Sequence, residues 1–173
     1  MRTAILQTVA FLLFFFAVSQ RVNAQEKLTP AQQAGHIMKA PNGMAWQETP
    51  ETWNWPKGTQ ITYLEGDPTK KGFYTIRLTL PDGYQVMPQW NIAAEHITVI
   101  EGDLYMGHGK TFSEEEALKL PVGSFSLVPM KVPFYMFTKD RRAVIQMHGM
   151  GPRKIVYSDP THDPKKKNLP VRR

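Results

Sequence analysis

From Gly58 to Tyr157 the chain runs in short stretches where apolar and polar side chains alternate, each closed by turn residues, and this period-two pattern is that of half-buried strands. The clearest is Gly72 to Leu80 (GFYTIRLTL). Tyr74, Ile76, Leu78 and Leu80 share one side, Thr75, Arg77 and Thr79 the other, and Pro81-Asp82-Gly83 ends the run. The same reading marks strands at Thr59 to Leu64, Tyr84 to Trp90, His96 to Glu101, Leu104 to Gly107, Ser124 to Val128, Pro133 to Thr138, Ala143 to His148 and Lys154 to Tyr157. Between them only Ser113 to Leu120 (SEEEALKL) has a helical pattern, with Ser113 and Glu116 spaced as a capping box. Many short strands with one short helix predict an all-β antiparallel sandwich or barrel and exclude alternating βαβ units.

The two ends have a different character. Arg2, the apolar run Val9 to Val18 and the small residues around Val22-Asn23-Ala24 form the three parts of a secretory signal peptide, residues 1–24. The apolar run is too short to span a bilayer, which takes about 20 residues. Cleavage after Ala24 predicts a periplasmic or secreted protein with no transmembrane helix. Residues 25–57 follow as an N-terminal arm, with a helix-capable piece at Ala31 to Lys39 and a Trp-rich strap, WQETPETWNWP, over residues 46–56. Indole rings are too large to leave wet, so Trp53 and Trp55 are expected to pack across the main domain, with carbohydrate stacking as the competing use. The barrel occupies residues 58–164.

Charge separates in the same way. The whole chain carries 21 Lys+Arg against 15 Asp+Glu, a net of +6. Five of those cations, and no acids, lie in the tail 165–173. A nucleic-acid footprint would place its cations on a folded face beside stacking aromatics, and this tail has none, so no nucleic-acid partner is expected. The tail is expected to contact anionic surfaces. The absence of cysteine excludes disulfides, thiolate metal sites and a cysteine nucleophile.

Gly107-His108-Gly109-Lys110-Thr111 ends like a phosphate-binding P-loop, but the required earlier glycine falls on Leu104. A longer spacing is more specific. From Gly83, five residues lead to Gln89, one more to Asn91, three to Glu95 and six to Gly102; a second block runs Gly123, five residues, Pro129, then Phe134. These intervals resemble the two signature motifs of the cupin superfamily. Leu80-Pro81-Asp82-Gly83-Tyr84, Glu95-His96-Ile97-Thr98-Val99 and His148-Gly149-Met150-Gly151-Pro152 also look like a group of small cupins of unassigned function. The resemblance covers about residues 58 to 164. It implies a double-stranded β-helix, or jelly-roll barrel, with an arm and one short helix.

In cupins two His and a Glu of the first motif and a His of the second hold a divalent ion, commonly iron, manganese, nickel or zinc. The matching positions here are Gln89, Asn91, Glu95 and Phe134, while Lys131 replaces a glycine and Thr138 an Asn of the second motif. Carboxamides are poor donors to first-row ions and Phe is none, so the expectation is no metal and no cofactor. Gln89 and Asn91 share a strand face and point inward with Glu95, whereas His96 projects away. His148 is placed in a Gly-rich turn with a structural hydrogen bond; His36, His108 and His162 receive no role. A charged Glu95 inside a barrel needs hydrogen bonds from Gln89 and Asn91, or a proton. Two readings stay open. In one the four side chains satisfy one another as core; in the other they bind a small polar ligand on which Phe134 stacks.

The expected function is therefore an exported, degenerate cupin that binds a small molecule or is otherwise non-catalytic, and that pairs as a homodimer by resemblance. The alternatives are a cupin enzyme, either metal-dependent and oxygenase-like through an atypical ligand set or metal-free with Glu95 as acid/base, and an envelope scaffold using the strap and tail.

Overall fold

The computed structural model describes residues 35–166. The leader 1–24, the first residues of the arm and the tail from position 167 lie outside them, as does the first part of the helix expected at Ala31 to Lys39. Among the described residues no helix is long and apolar enough to cross a membrane.

Among the described residues eleven strands form two antiparallel sheets. In chain order they are β1 (Gln47–Glu48), β2 (Gln60–Glu65), β3 (Gly72–Leu80), β4 (Gln85–Asn91), β5 (Glu95–Glu101), β6 (Leu104–His108), β7 (Leu118–Leu120), β8 (Phe125–Val128), β9 (Phe134–Phe137), β10 (Ala143–Gly151) and β11 (Ile155–Tyr157). One sheet has the order β1-β2-β3-β10-β5-β8, the other β11-β4-β9-β6-β7. Their inner faces enclose one core of Ile76, Leu78, Leu80, Val86, Ile97, Val99, Leu104, Met106, Met136, Ile145 and Met147. The nine strands expected from alternation all form. On β3 the inward and outward residues fall as the pattern requires, because a slip of one residue would turn Ile76 and Leu78 to water.

Three expectations are corrected. Ser113 to Leu120 is not a helix: the Glu116 amide does donate to Ser113 Oγ at 3.3 Å, but Leu118–Leu120 pairs with β6 instead. One capped turn is too short to stand alone as a helix, whereas the open edge of β6 offers a full ladder. The only helical pieces described are 3-10 turns at Pro41–Gly43, Glu51–Trp53 and Pro160–His162. Second, His148 lies inside β10 rather than in a turn. It faces outward beside His96, the two rings stacked 4.7 Å apart and 7° from parallel. Third, Gly35 to Lys39, the described part of the helix-capable piece, is not helical. A feature alternation does not announce is the bulge of β4 between Val86 and Gln89, which turns both inward although they are an odd number of residues apart.

Burial, and then the positive charge His96 would carry, hold the His148 pKa below the ordinary imidazole value. The unfolded chain then binds more protons at acid pH, so this group weakens folding as pH drops below about 6.5. A His148→Gln variant should lose less stability than the parent between neutral and mildly acid pH in thermal melts. Equal losses would remove His148 from the account.

Candidate functional site

The barrel core is apolar at one end and polar at the other, and strand register decides which. On β3, β5 and β10 the inward positions begin or end with Tyr74, Glu95 and Gly149, and register places Gly149 opposite both Tyr74 and Glu95. Glycine is needed there because a Cβ on residue 149 would lie 2.9 Å from the Ala94 carbonyl oxygen and 3.1 Å from the Tyr74 hydroxyl. That room lets the Tyr74 hydroxyl donate to Glu95 Oε1 at 2.7 Å. Gly149→Ala should destabilise the fold by about 1–3 kcal/mol. Because it also pushes at the Tyr74 hydroxyl, the double change with Tyr74→Phe should lose less in denaturant melts than the sum of the two single losses; strictly additive losses would separate the two.

Glu95 is fully buried, and its counter-charge is Arg153. Arg153 Nε donates to the same Oε1 at 2.5 Å, and the guanidinium side chain is only 4% exposed. Arg153 stands between β10 and β11, and its backbone amide is anchored on the Pro68 carbonyl. Its guanidinium carbon lies 4.8 Å from the Trp55 ring centroid and 5.5 Å from that of Trp53. The strap therefore packs, as its indoles require, and its rings face an internal cation rather than standing free as a sugar platform. The strap is pinned by the Tyr157 hydroxyl, which donates to the Asn54 carbonyl at 3.0 Å, and by the Tyr84 hydroxyl on the Pro56 carbonyl. Burial, reinforced by the Glu95 charge, pushes the Tyr74 phenol far above its ordinary pKa, so it acts as a neutral donor.

Gln89 and Asn91 are buried on the inward face of β4, as expected, and Phe134 is Gln89's ladder neighbour on β9. Neither amide bonds to Glu95: of the two alternatives, hydrogen bonds from Gln89 and Asn91 or a proton, the first does not form, and the donors to the carboxylate are Tyr74 and Arg153. Asn91 Oδ1 accepts instead from the amides of Ile92 and Lys154, each at 2.8 Å. Its own carbonyl accepts from the Lys131 amide at 2.8 Å, and Lys131 has φ 60°, a left-handed conformation that explains the glycine of the cupin motif there. Gln89 Nε2 and Oε1, Asn91 Nδ2 and Glu95 Oε2 are buried with no hydrogen-bond partner among the described residues.

Tyr74 and Arg153 escaped the sequence reading. Tyr74 was detectable: a phenol on the inward parity of β3 needs a buried acceptor. Arg153 was not, being 58 residues from Glu95 in sequence and outside any alternating run.

No protein-family model and no curated protein matches the sequence. Among solved structures, the polyketide cyclase RemF from Streptomyces resistomycificus superposes with a TM-score of 0.60 at 14% identity, over 78% of this chain and 94% of that one. A cupin 2 conserved barrel domain protein from Rhodopseudomonas palustris gives 0.54 at 11% identity, over 72% and 86%. A cupin-2 domain from Rhodospirillum rubrum gives 0.54 at 8% identity, over 73% and 82%. At such identities the likeness is one of fold.

Proposed function

Taking the chain as a cupin-fold protein, we propose that it is exported and works without a metal ion, as a non-catalytic binder of a small polar molecule at the Gln89, Asn91 and Glu95 end of the barrel. The observation that carries this is the set of four buried, unpartnered polar atoms: Gln89 Nε2 and Oε1, Asn91 Nδ2 and Glu95 Oε2. Each such atom costs about 1–3 kcal/mol unless something bonds to it. Two donors and two acceptors beside the Phe134 ring suit a small molecule that both accepts and donates hydrogen bonds.

The donor set does not fit a transition ion. Asn91 Oδ1 is already taken by two backbone amides, Phe134 offers no donor, and Glu95 faces a guanidinium whose charge opposes a dication. Arg153 stands in the electrostatic role that a metal would have beside this carboxylate. An acid/base role for Glu95 finds less support, since both the Tyr74 hydroxyl and Arg153 hold one of its oxygens and the residue is shut off from solvent.

Non-denaturing mass spectrometry of the exported protein tests the reading. The expected result is a small organic mass released on denaturation and lost in Gln89→Leu. Stoichiometric iron, manganese, nickel or zinc by elemental analysis, or a bare chain mass with Gln89→Leu as stable as the parent, would overturn it. The homodimer belongs to the same proposal, and light scattering that shows only monomer removes that part. Contact of the basic tail with anionic surfaces is checked by deleting residues 165–173.

A further inference from the structure

A cleft of about 300 Å³ lies outside the barrel, between the strap, the Pro68-Thr69 turn and the segment Arg153 to Ile155. Lys154 and Lys165 contribute cationic side chains to its lining and Asp163 an acid. Asp163 Oδ1 accepts from the Lys165 amide at 2.9 Å, and Lys165 Nζ donates to the Thr52 carbonyl at 3.2 Å. Two residues of the lining carry a buried polar atom with no partner among the described residues: Nη2 of Arg153 and Oδ1 of Asn54. Arg153 is engaged by Glu95 only through Nε. Asn54 is held in a left-handed conformation, φ 56° and ψ 40°, at the end of the Glu51–Trp53 turn. Non-glycine residues enter that region uncommonly, and Asn does so at less strain than most.

An unbonded guanidinium nitrogen of the Glu95–Arg153 pair and an unbonded neutral acceptor, on two residues that line one cleft, are complementary to an oxyanion and a hydroxyl on the same molecule. We propose that this cleft binds a small hydroxy-carboxylate, the carboxylate accepting from Arg153 and flanked by the lysines, a hydroxyl donating to Asn54 Oδ1. A charge-assisted bond to a guanidinium sheltered from bulk water supplies the affinity, and the Asn54 acceptor supplies the selection for a hydroxylated ligand. The Trp55 and Trp53 rings fix the guanidinium, so its cost of ordering is already met before a ligand arrives.

The site uses atoms other than the four in the barrel and stands or falls apart from them. Calorimetric titration of the full chain at constant ionic strength with sodium D-gluconate, sodium acetate and inorganic phosphate tests it. Gluconate should bind roughly five- to tenfold tighter than acetate, the worth of one hydrogen bond. Asn54→Gly keeps the backbone, since glycine adopts φ 56° freely, and should bring gluconate down to the acetate level while leaving acetate unchanged. Lys154→Met should weaken both carboxylates together. No binding of any probe, equal affinity for gluconate and acetate, phosphate binding tightest, or gluconate affinity untouched in Asn54→Gly overturns the proposal. Gln89→Leu should leave gluconate binding as it is. If instead that change abolishes it, the ligand sits in the barrel, and the cleft fails while the barrel reading survives.

Discussion

Replacing Arg153 by Met is expected to destabilise the protein by about 3–5 kcal/mol, the loss found when one partner of a buried ion pair is removed and the other charge stays behind. Met preserves most of the volume under the strap, so the effect is electrostatic before it is steric. It also removes the cation that the Trp53 and Trp55 rings face, a further contribution on the order of 1 kcal/mol. In thermal melts the midpoint should fall by roughly 15 °C for a domain of this size. Glu95→Gln alone leaves the guanidinium unpaired and should also be costly. The double change Glu95→Gln with Arg153→Met leaves no buried charge and lets the Tyr74 hydroxyl donate to the new amide oxygen, so it should recover most of the stability. Additive losses in that cycle would mean that the pair is not the organising contact of the barrel's polar end.

Strands such as β3 and β5 were legible because each buries one face and alternation records that directly, whereas β9 is buried at every position and carries no such record. What was not legible follows from the same physics. Leu118–Leu120 carries a helical pattern, and only the open edge of β6, a tertiary fact, turns it into a strand. His148 sits among glycines that read as a turn, yet Gly149 is there to make room for the Tyr74 hydroxyl in the middle of a ladder. At the site, motif spacing located Gln89, Asn91, Glu95 and Phe134 as buried neighbours of one barrel end, but not their bonds. The partners of Asn91 are backbone amides of Ile92 and Lys154, and the partner of Glu95 arrives from the β10 to β11 connection. Spacing along one strand carries no information about a cation that reaches it from another.

The second large effect concerns metal affinity. Restoring the first cupin motif by Gln89→His and Asn91→His gives two imidazoles and a carboxylate, a set that suits zinc or cobalt. The double variant should nevertheless bind cobalt weakly, because Arg153 holds Glu95 and its positive charge opposes the ion. Adding Arg153→Gln frees the carboxylate and should raise cobalt affinity at least about a hundredfold, since removing one like charge at contact distance is worth roughly 4 kcal/mol at a partly screened site. Asn91→His also strips the acceptor from the Ile92 and Lys154 amides, so the metal-free variants should melt below the parent and regain stability on adding cobalt. Visible absorption of bound cobalt and the melting midpoint with and without it are the readouts. Stoichiometric, tight cobalt in the double variant with Arg153 intact would show that the guanidinium yields Glu95 readily and does not take the place of an ion.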